Sequence, residues 1–238
     1  EKFLNGVAIY RGVREFQGPY FVKIPGLRIS QNTENSYTRL FSGLLPSWSK
    51  YPPRNKSFIC TTNINRTRGY ITESEYSRGQ YIILPKNNAK IGVCSFTDMW
   101  DSFLSLANEY KIYDMSYLNW SINNFVETVS LKNEKFNQTF NDIKNMFLYN
   151  SDEKIKKFFT NLAKHTKDNF GTIYNLTKKD KNSKFLIGTF TRKIIQEMNI
   201  NPSTSEDSYN LLTILNKLLD PKKNGFRLTT IKEFSLTN

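Results

Sequence analysis

Residues that build metal centres and disulfide frameworks are scarce in this chain. Its 238 residues include two cysteines, Cys60 and Cys94, and one histidine, His165. A structural zinc ion needs four nitrogen or sulfur ligands, and a disulfide framework needs several cysteine pairs. The sequence therefore argues against both, and we expect Cys60 and Cys94 to be reduced thiols that pack as small apolar side chains.

Long apolar runs are missing as well. No run of 18 apolar residues occurs, so the sequence predicts no membrane-spanning helix. Apolar residues are only 38% of the chain, but aromatic residues reach 14%, and each buried ring removes a large area from water. We therefore expect a folded, soluble chain of one large domain or two small ones rather than a disordered one.

Acidic residues are few relative to basic ones. The chain has 21 Asp and Glu and 34 Lys and Arg, so its formal net charge is +13. A surface of this charge attracts phosphate polyanions, either nucleic acid or anionic lipid; the alternative is that the excess lysine only keeps the protein soluble. Arginine is concentrated in the first third of the chain, and lysine dominates from Lys132 onward. Because arginine binds phosphate bidentately, we predict that any pocket for a phosphate-bearing ligand lies in the N-terminal third.

The hydrophobic pattern changes along the chain from that of strands to that of helices. Residues 1–95 contain short β-branched and aromatic runs bounded by Gly, Pro and Asn, which is typical of strands. Residues 96–222 have helical spacing, and residues 223–238 hold a final strand. The predicted class is α+β, with a helical block that interrupts a β-rich core. The predicted strands are 7–10, 20–24, 57–61, 81–84, 90–93 and 226–231, and the predicted helices lie near 36–45, 97–107, 118–129, 136–147, 151–162, 188–199 and 206–219.

Motifs of common enzyme classes are absent. The chain has no GxGxxG or GxxxxGK[ST] phosphate loop, no Gly-x-Ser-x-Gly and no Cys/His pair. His165 lies among lysines on a predicted helix, and we expect it to be a surface residue rather than a general base.

Three segments of residues 7–95 form an ordered pattern. One strand ends in Tyr10-Arg11-Gly12, a second segment at 57–63 reads SFICTTN, and a third at 81–92 reads YIILPKNNAKIG. This order resembles the mono-ADP-ribosyltransferases of the Arg–Ser–Glu class. In that family the first strand ends in aromatic-Arg-Gly, the second carries a Ser-Thr-Ser-like run, and the third often reads Pro-Lys-Gly-Ala-Lys between apolar strands. The resemblance implies an ADP-ribosyltransferase-like β-core, with the helical block as an insertion and residues 223–238 as its returning strand.

The resemblance also implies a substrate. The chain would bind NAD and transfer ADP-ribose to a macromolecular acceptor, either an acidic protein or a nucleic acid. Arg11 would hold the pyrophosphate, Gly12 would leave room for the nicotinamide amide, and Tyr70 would stack on the nicotinamide ring. The remaining residues of the NAD-binding set would orient Arg11 and the ribose; they are Ser57, Thr61, Thr62 and Asn63.

Such chemistry needs a carboxylate beside the ribose. In the family it lies on a strand after the third pair, within Glu-x-Glu or Gln-x-Glu. Glu233 matches this order, whereas Glu75 has the spacing, as part of Glu73-Ser74-Glu75, but precedes the third pair. A third alternative is a carboxylate beyond residue 238, because the chain begins with Glu rather than Met and we expect it to be part of a longer protein. The chain also departs from the family at Cys60, where a thiol replaces the first hydroxyl.

A non-enzymatic function stays open beside this one. A basic structural or nucleic-acid-interacting protein, for example of a virus, would account for the positive charge and for the abundance of Asn, Lys and Ile. No signal peptide is visible, so both functions predict an intracellular or virion setting.

Overall fold

Eight α-helices and four short strands make up the regular structure of the residues described in a computed structural model. The described residues are 8–13, 18, 35–71, 79–86, 88–94, 96, 99–110, 112, 115–130, 140–179, 185–200 and 209–229. Helices and small antiparallel sheets occur together in these ranges, which confirms the α+β prediction in its coarse form. No helix within them is long and apolar enough to cross a membrane.

The strands form two separate antiparallel pairs. β1 (Tyr10–Val13) pairs with β2 (Gly79–Ile82), and β3 (Ile91–Val93) pairs with β4 (Arg227–Thr229). The second pair brings the end of the described chain back to residues 91–93.

Several predicted strands differ from those observed. The runs at 81–84 and 90–93 could have formed a hairpin, but β2 and β3 belong to different sheets because each pairs with a distant strand. The first strand begins at Tyr10 rather than at residue 7, since Tyr10–Val13 is the stretch that pairs with β2. Residues 57–61 form only one antiparallel bridge, at Thr61. The predicted strand at 20–24 lies outside the described residues.

Most predicted helices are present, although their limits shift. The first one starts as α1 (Asn35–Arg39), continues as a π-helix (Leu40–Leu44) and ends before Pro46, which confirms the predicted stop. The predicted helix near 97–107 divides into a 3₁₀-helix (Met99–Ser102) and α2 (Leu104–Tyr110). Leu104, which the helical spacing of apolar residues assigned to the buried face, is exposed at this break. The other helices are α3 (Met115–Ser130), α4 (Phe140–Tyr149), α5 (Asp152–Asp168), α6 (Phe170–Lys179), α7 (Phe185–Ile200) and α8 (Leu211–Leu218), and further 3₁₀-helices cover Pro46–Trp48, Arg54–Lys56 and Ile64–Tyr70.

An aromatic cluster joins the N-terminal part of the core to the returning strand. The Trp48 ring lies 4.5 Å from that of Phe41 and 5.0 Å from that of Phe226, measured between ring centroids. Trp48 Nε1 donates a hydrogen bond to the carbonyl of Leu219, and the Tyr51 hydroxyl donates to the carbonyl of Phe226. With Phe103, these rings form the aromatic cluster, which consists of Phe41, Trp48, Tyr51, Phe103 and Phe226.

The helical block has a continuous apolar interior. α3 packs against α7, and α5 and α6 pack against both of them. Phe125, Phe190 and Ile194 are fully buried there, and Thr191 on α7 donates a hydrogen bond to the side chain of Asn124 on α3. These side chains belong to the same buried cluster as Tyr37, Phe41 and Trp48, so the helical block and the N-terminal part of the chain share one core.

Candidate functional site

The strand that carries Arg11 lies directly beside the segment that carries Thr61. Tyr10 N–H donates to the Thr61 carbonyl at 2.7 Å, and Thr61 N–H donates back to the Tyr10 carbonyl at 3.0 Å. On the other side of β1, Ile83 N–H donates to the Ile9 carbonyl, next to the β1–β2 ladder. The first and second segments of the resemblance are therefore neighbours in space.

The pairing also decides which side chains share a face. Residues directly opposite each other in an antiparallel pair project to the same face, and successive residues of a strand project to opposite faces. Because Thr61 lies opposite Tyr10, its side chain and that of Arg11 project to opposite faces. Cys60 precedes Thr61 and thus lies on the same face as Arg11.

The contacts of Arg11 fit this assignment. Its Nη1 donates a hydrogen bond of 2.7 Å to the carbonyl of Ile59, and its guanidinium carbon lies 5.2 Å from the centroid of the Phe58 ring. Burial raises the pKa of the Cys60 thiol, while the charge of Arg11 and a side-chain hydrogen bond from it act in the opposite direction. Residues 58–60 therefore hold the guanidinium against the edge of β1.

Thr61 and Asn63 build the local turn. Thr61 Oγ1 accepts a hydrogen bond from Asn63 N–H, and Asn63 Oδ1 accepts one from Asn65 N–H, which caps the 3₁₀-helix Ile64–Tyr70. Among the described contacts, those of the Arg11 guanidinium are with Phe58, Ile59 and Cys60, and the orientation of Arg11 by Thr61, Thr62 and Asn63 stays a prediction.

The 3₁₀-helix Ile64–Tyr70 contacts the face of the sheet opposite to Arg11. Gly12 pairs with Gln80, whose Nε2 donates a hydrogen bond of 2.7 Å to Thr67 Oγ1. Thr67 is almost fully buried, and its hydroxyl donates to the carbonyl of Ile64. Gly12 is therefore part of a packed face.

The remaining predicted residues are placed as follows. Ser57 Oγ donates to the Pro53 carbonyl within its own loop, and Thr62 is exposed. The backbone of Tyr70 ends the 3₁₀-helix, but its side chain is not among those described. Glu75 and Glu233, the two predicted catalytic carboxylates, lie outside the described residues.

Two residues of the Arg11 face were missed by the sequence reasoning. Phe58 and Cys60 contact Arg11, but neither was assigned to NAD binding. Strand alternation could have identified Cys60. Successive side chains of an extended segment project to opposite faces, so residues 60 and 62 project to one face and residue 61 to the other.

A cleft of about 230 Å³ lies in another part of the molecule, and none of the predicted site residues lines it. Arg39 lines this cleft. Its Nη2 donates a hydrogen bond to the Asn150 carbonyl and forms an ion pair with the Asp152 carboxylate. Its lining residues are Arg39, Ser42, Gly43, Asn55, Asp152 and Glu153. The pairing of Arg39 neutralises much of the charge in this cleft.

Cys60 and Cys94 are half-buried and form no disulfide within the described residues, and their reduced state stays a prediction. Within the described ranges, no three His, Cys, Asp or Glu side chains gather closely enough to hold a metal ion. No protein-family model matches the chain, and neither a curated protein nor a solved structure is significantly similar to it.

Proposed function

We propose that this chain contains an ADP-ribosyltransferase-like core that binds NAD and transfers ADP-ribose to an acidic protein or a nucleic acid. The observation that carries the proposal is the antiparallel bridge between Tyr10 and Thr61, with Arg11 held on the face of Cys60. It joins two of the three segments on which the resemblance rests.

Arg11 has the chemistry that a pyrophosphate requires. A guanidinium carries five N–H donors and binds phosphate oxygens bidentately. Its contacts with the Ile59 carbonyl and the Cys60 thiol use only part of this capacity and hold the group in one orientation. Such preorganisation lowers the entropy lost when an anion binds.

The pairing of β3 with β4 supports the same proposal. β3 follows the Pro-Lys-Asn-Asn-Ala-Lys segment, and β4 ends four residues before Glu233. The catalytic carboxylate of the family lies on a strand after the third pair, and Glu233 shortly follows the strand that holds this position in the chain order. We therefore propose Glu233 as the first catalytic candidate and keep Glu75 as the second.

The proposed reaction breaks the bond between the nicotinamide nitrogen and C1′ of the ribose. The bonding electron pair leaves with nicotinamide, and positive charge develops on C1′ and the ring oxygen, as in glycoside cleavage. An acceptor nucleophile then bonds to C1′ and loses its proton. The carboxylate would hold the ribose 2′-hydroxyl and stabilise this charge.

The first test measures NAD binding and nicotinamide release for Arg11→Ala, with Arg66→Ala as a matched control. Arg66 is exposed on the 3₁₀-helix Ile64–Tyr70, so its loss removes the same charge from a neighbouring position. We expect Arg11→Ala to weaken NAD binding by about tenfold or more, because one charge-assisted pair is lost. Equal NAD binding by both variants and the unmodified chain would contradict the role of Arg11.

The second part of this test locates the carboxylate. Glu233→Gln should lower nicotinamide release by about 10²-fold or more while NAD still binds. Glu75→Gln should leave the release rate within a few-fold. The reverse result would transfer the catalytic role to Glu75, and full activity in both variants would exclude both residues.

A further inference from the structure

α5 exposes five lysines on one face. Between residues 154 and 167 the helix contains no Asp or Glu, and its exposed side carries a group that we call the lysine face: Lys154, Lys156, Lys157, Lys164 and Lys167. At 100° per residue, these positions fall within an arc of about 160°, so they form one surface. The opposite side of α5 packs into the core through Ile155, Phe159 and Leu162.

Acidic residues balance only part of the positive charge of the lysine face, because the exposed Glu153 and Asp168 at the two ends of α5 are the carboxylates within the same arc. Within the part of the chain that the structure describes, the ion pair within 4.0 Å is that of Arg39 with Asp152, and it involves none of these lysines. Glu153, at the first turn, is fully exposed, and its pKa is lowered mainly by its own backbone N–H and by Ser151, with a smaller effect from Lys156. The five exposed lysines therefore outnumber the two exposed carboxylates on this side of α5.

The dimensions of the lysine face fit a duplex backbone. Lys154 and Lys167 are 13 residues apart, which corresponds to about 20 Å along a helix. A duplex of this length carries roughly a dozen phosphates, at one charge per about 1.7 Å of its axis. Thr160 and Asn161, between the lysines, are side chains that can donate hydrogen bonds to phosphate oxygens.

The composition of this face distinguishes nucleic acid from other anionic partners. Protein interfaces are built around apolar and aromatic anchors and are poor in lysine, whereas the exposed residues here are the five lysines, Asn161 and the two carboxylates at the helix ends. A membrane surface would take up the apolar side of an amphipathic helix, but that side of α5 is buried. The face has no exposed aromatic ring to stack on unpaired bases, so a duplex fits it better than a single strand.

We propose that the lysine face of α5 binds the phosphate backbone of double-stranded nucleic acid without sequence preference. This inference is independent of NAD binding, because it uses other residues and another ligand.

The test compares two variants of the whole chain that lose the same charge. The face variant carries Lys154→Gln, Lys157→Gln, Lys164→Gln and Lys167→Gln, and Lys156 is kept because Glu153 interacts with it. The control variant carries the same substitution at four exposed lysines elsewhere, Lys50, Lys56, Lys86 and Lys90. Gln has nearly the helix propensity of Lys, and circular dichroism checks that both variants are folded.

The measurement is fluorescence anisotropy with a labelled 20-base-pair DNA or RNA duplex between 50 and 200 mM salt. For four phosphate contacts, the affinity of the unmodified chain should fall by about 10²-fold over this range. We expect the face variant to lose most of this salt dependence, with a slope reduced by about 3 to 4 units, and the control variant to keep it within about 1 unit. The DNA and RNA arms show which duplex binds more tightly.

Several results would overturn the inference. Equal loss of binding in the two variants would mean that net charge, and not this face, attracts the duplex. Absence of duplex binding by the unmodified chain at 50 mM salt would refute it directly. Tighter face-dependent binding to a single strand, to polyglutamate or to anionic lipid vesicles would assign the face to that partner instead.

Discussion

Glu197 on α7 accepts hydrogen bonds from two tyrosine hydroxyls. Tyr110, from the end of α2, donates to one carboxylate oxygen, and Tyr209 lies 3.4 Å from the other. Burial, with the hydrogen bond and charge of Glu197 adding to it, raises the pKa of Tyr110. Lys193 lies 5.1 Å from the centroid of the Tyr110 ring, within the range of a cation–π contact.

The raised pKa predicts how stability depends on pH. Because the pKa of Tyr110 is higher in the folded chain than in the unfolded one, its contribution to stability is complete below about pH 10 and is lost as the pH rises above that value. The free energy of unfolding should then decline by up to about 1.4 kcal/mol per pH unit from this group. Tyr110→Phe should reduce this decline and should cost about 1–3 kcal/mol at pH 7, since Glu197 loses a donor. Urea unfolding of both proteins from pH 7 to 11 measures these effects, and identical slopes above pH 10 would contradict the assignment.

Still at the residue scale, the Arg11 site shows which of its contacts could be predicted from the sequence and which could not. The Tyr10-Arg11-Gly12 and Cys60-Thr61-Thr62 segments could be chosen as neighbours because their order resembles a known family. The residues that contact Arg11 could not be predicted from residue type alone. Thr61 has the expected hydroxyl, but its side chain projects to the face of the strand opposite to that of Arg11. The pleat of the strand, rather than the chemistry of the side chain, decides that Cys60 contacts Arg11.

At the scale of elements, two helices begin with side-chain caps of different quality. Asn210 Oδ1 accepts hydrogen bonds from Leu212 N–H at 2.9 Å and Thr213 N–H at 3.2 Å at the start of α8, and Asn210 is buried. Ser151 Oγ accepts one bond of 3.4 Å, from Lys154 N–H at the start of α5, and Ser151 is exposed. Both are residue types that commonly cap helices.

This contrast predicts different costs for the same truncation. Asn210→Ala should lower the free energy of unfolding by about 1–2 kcal/mol, because two buried N–H groups lose their acceptor. Ser151→Ala should cost about 0.5 kcal/mol, because water replaces its single long bond. Denaturant unfolding of the two variants provides the comparison, and an equal or larger cost at Ser151 would refute it.

Helices were easier to predict than strands for a physical reason. The 3.6-residue period lies within the helix itself, and Ser151 directly precedes α5, so a local reading finds both, although it placed the start of α8 at residue 206 and missed the cap at Asn210. The partner of a strand is not encoded locally: β2 pairs with a strand about 70 residues earlier and β3 with one about 135 residues later. The turn residues between β2 and β3 are compatible with a hairpin, and only the tertiary pairing excludes it.

At the scale of the whole molecule, Trp48 joins distant parts of the chain. Its ring contacts Phe41, Phe103 and Phe226 within the aromatic cluster, and its indole N–H is bonded to the Leu219 carbonyl. Trp120, by contrast, is about half exposed on α3, beside Tyr117. The same substitution at Trp48 and at Trp120 therefore compares a buried environment with a half-exposed one.

Trp48→Phe should destabilise the chain by about 2 kcal/mol or more, through lost packing and a buried carbonyl without its donor. Trp120→Phe should change the free energy of unfolding by less than about 1 kcal/mol, because a phenyl ring can keep most of an exposed contact. Thermal and denaturant unfolding of both variants measure the difference. Comparable destabilisation by the two substitutions would mean that the contacts of Trp48 in the aromatic cluster do not make a special contribution to the free energy of unfolding.

The pairing of Ile91 with Thr229 has a consequence for synthesis on the ribosome. β3 is translated long before its partner, so its backbone N–H and C=O groups stay without a strand neighbour while the whole helical block is being made. An unpaired strand edge is a template for wrong pairing with other nascent chains. Closure of the β3–β4 sheet must therefore wait until the helical block and β4 have been synthesised.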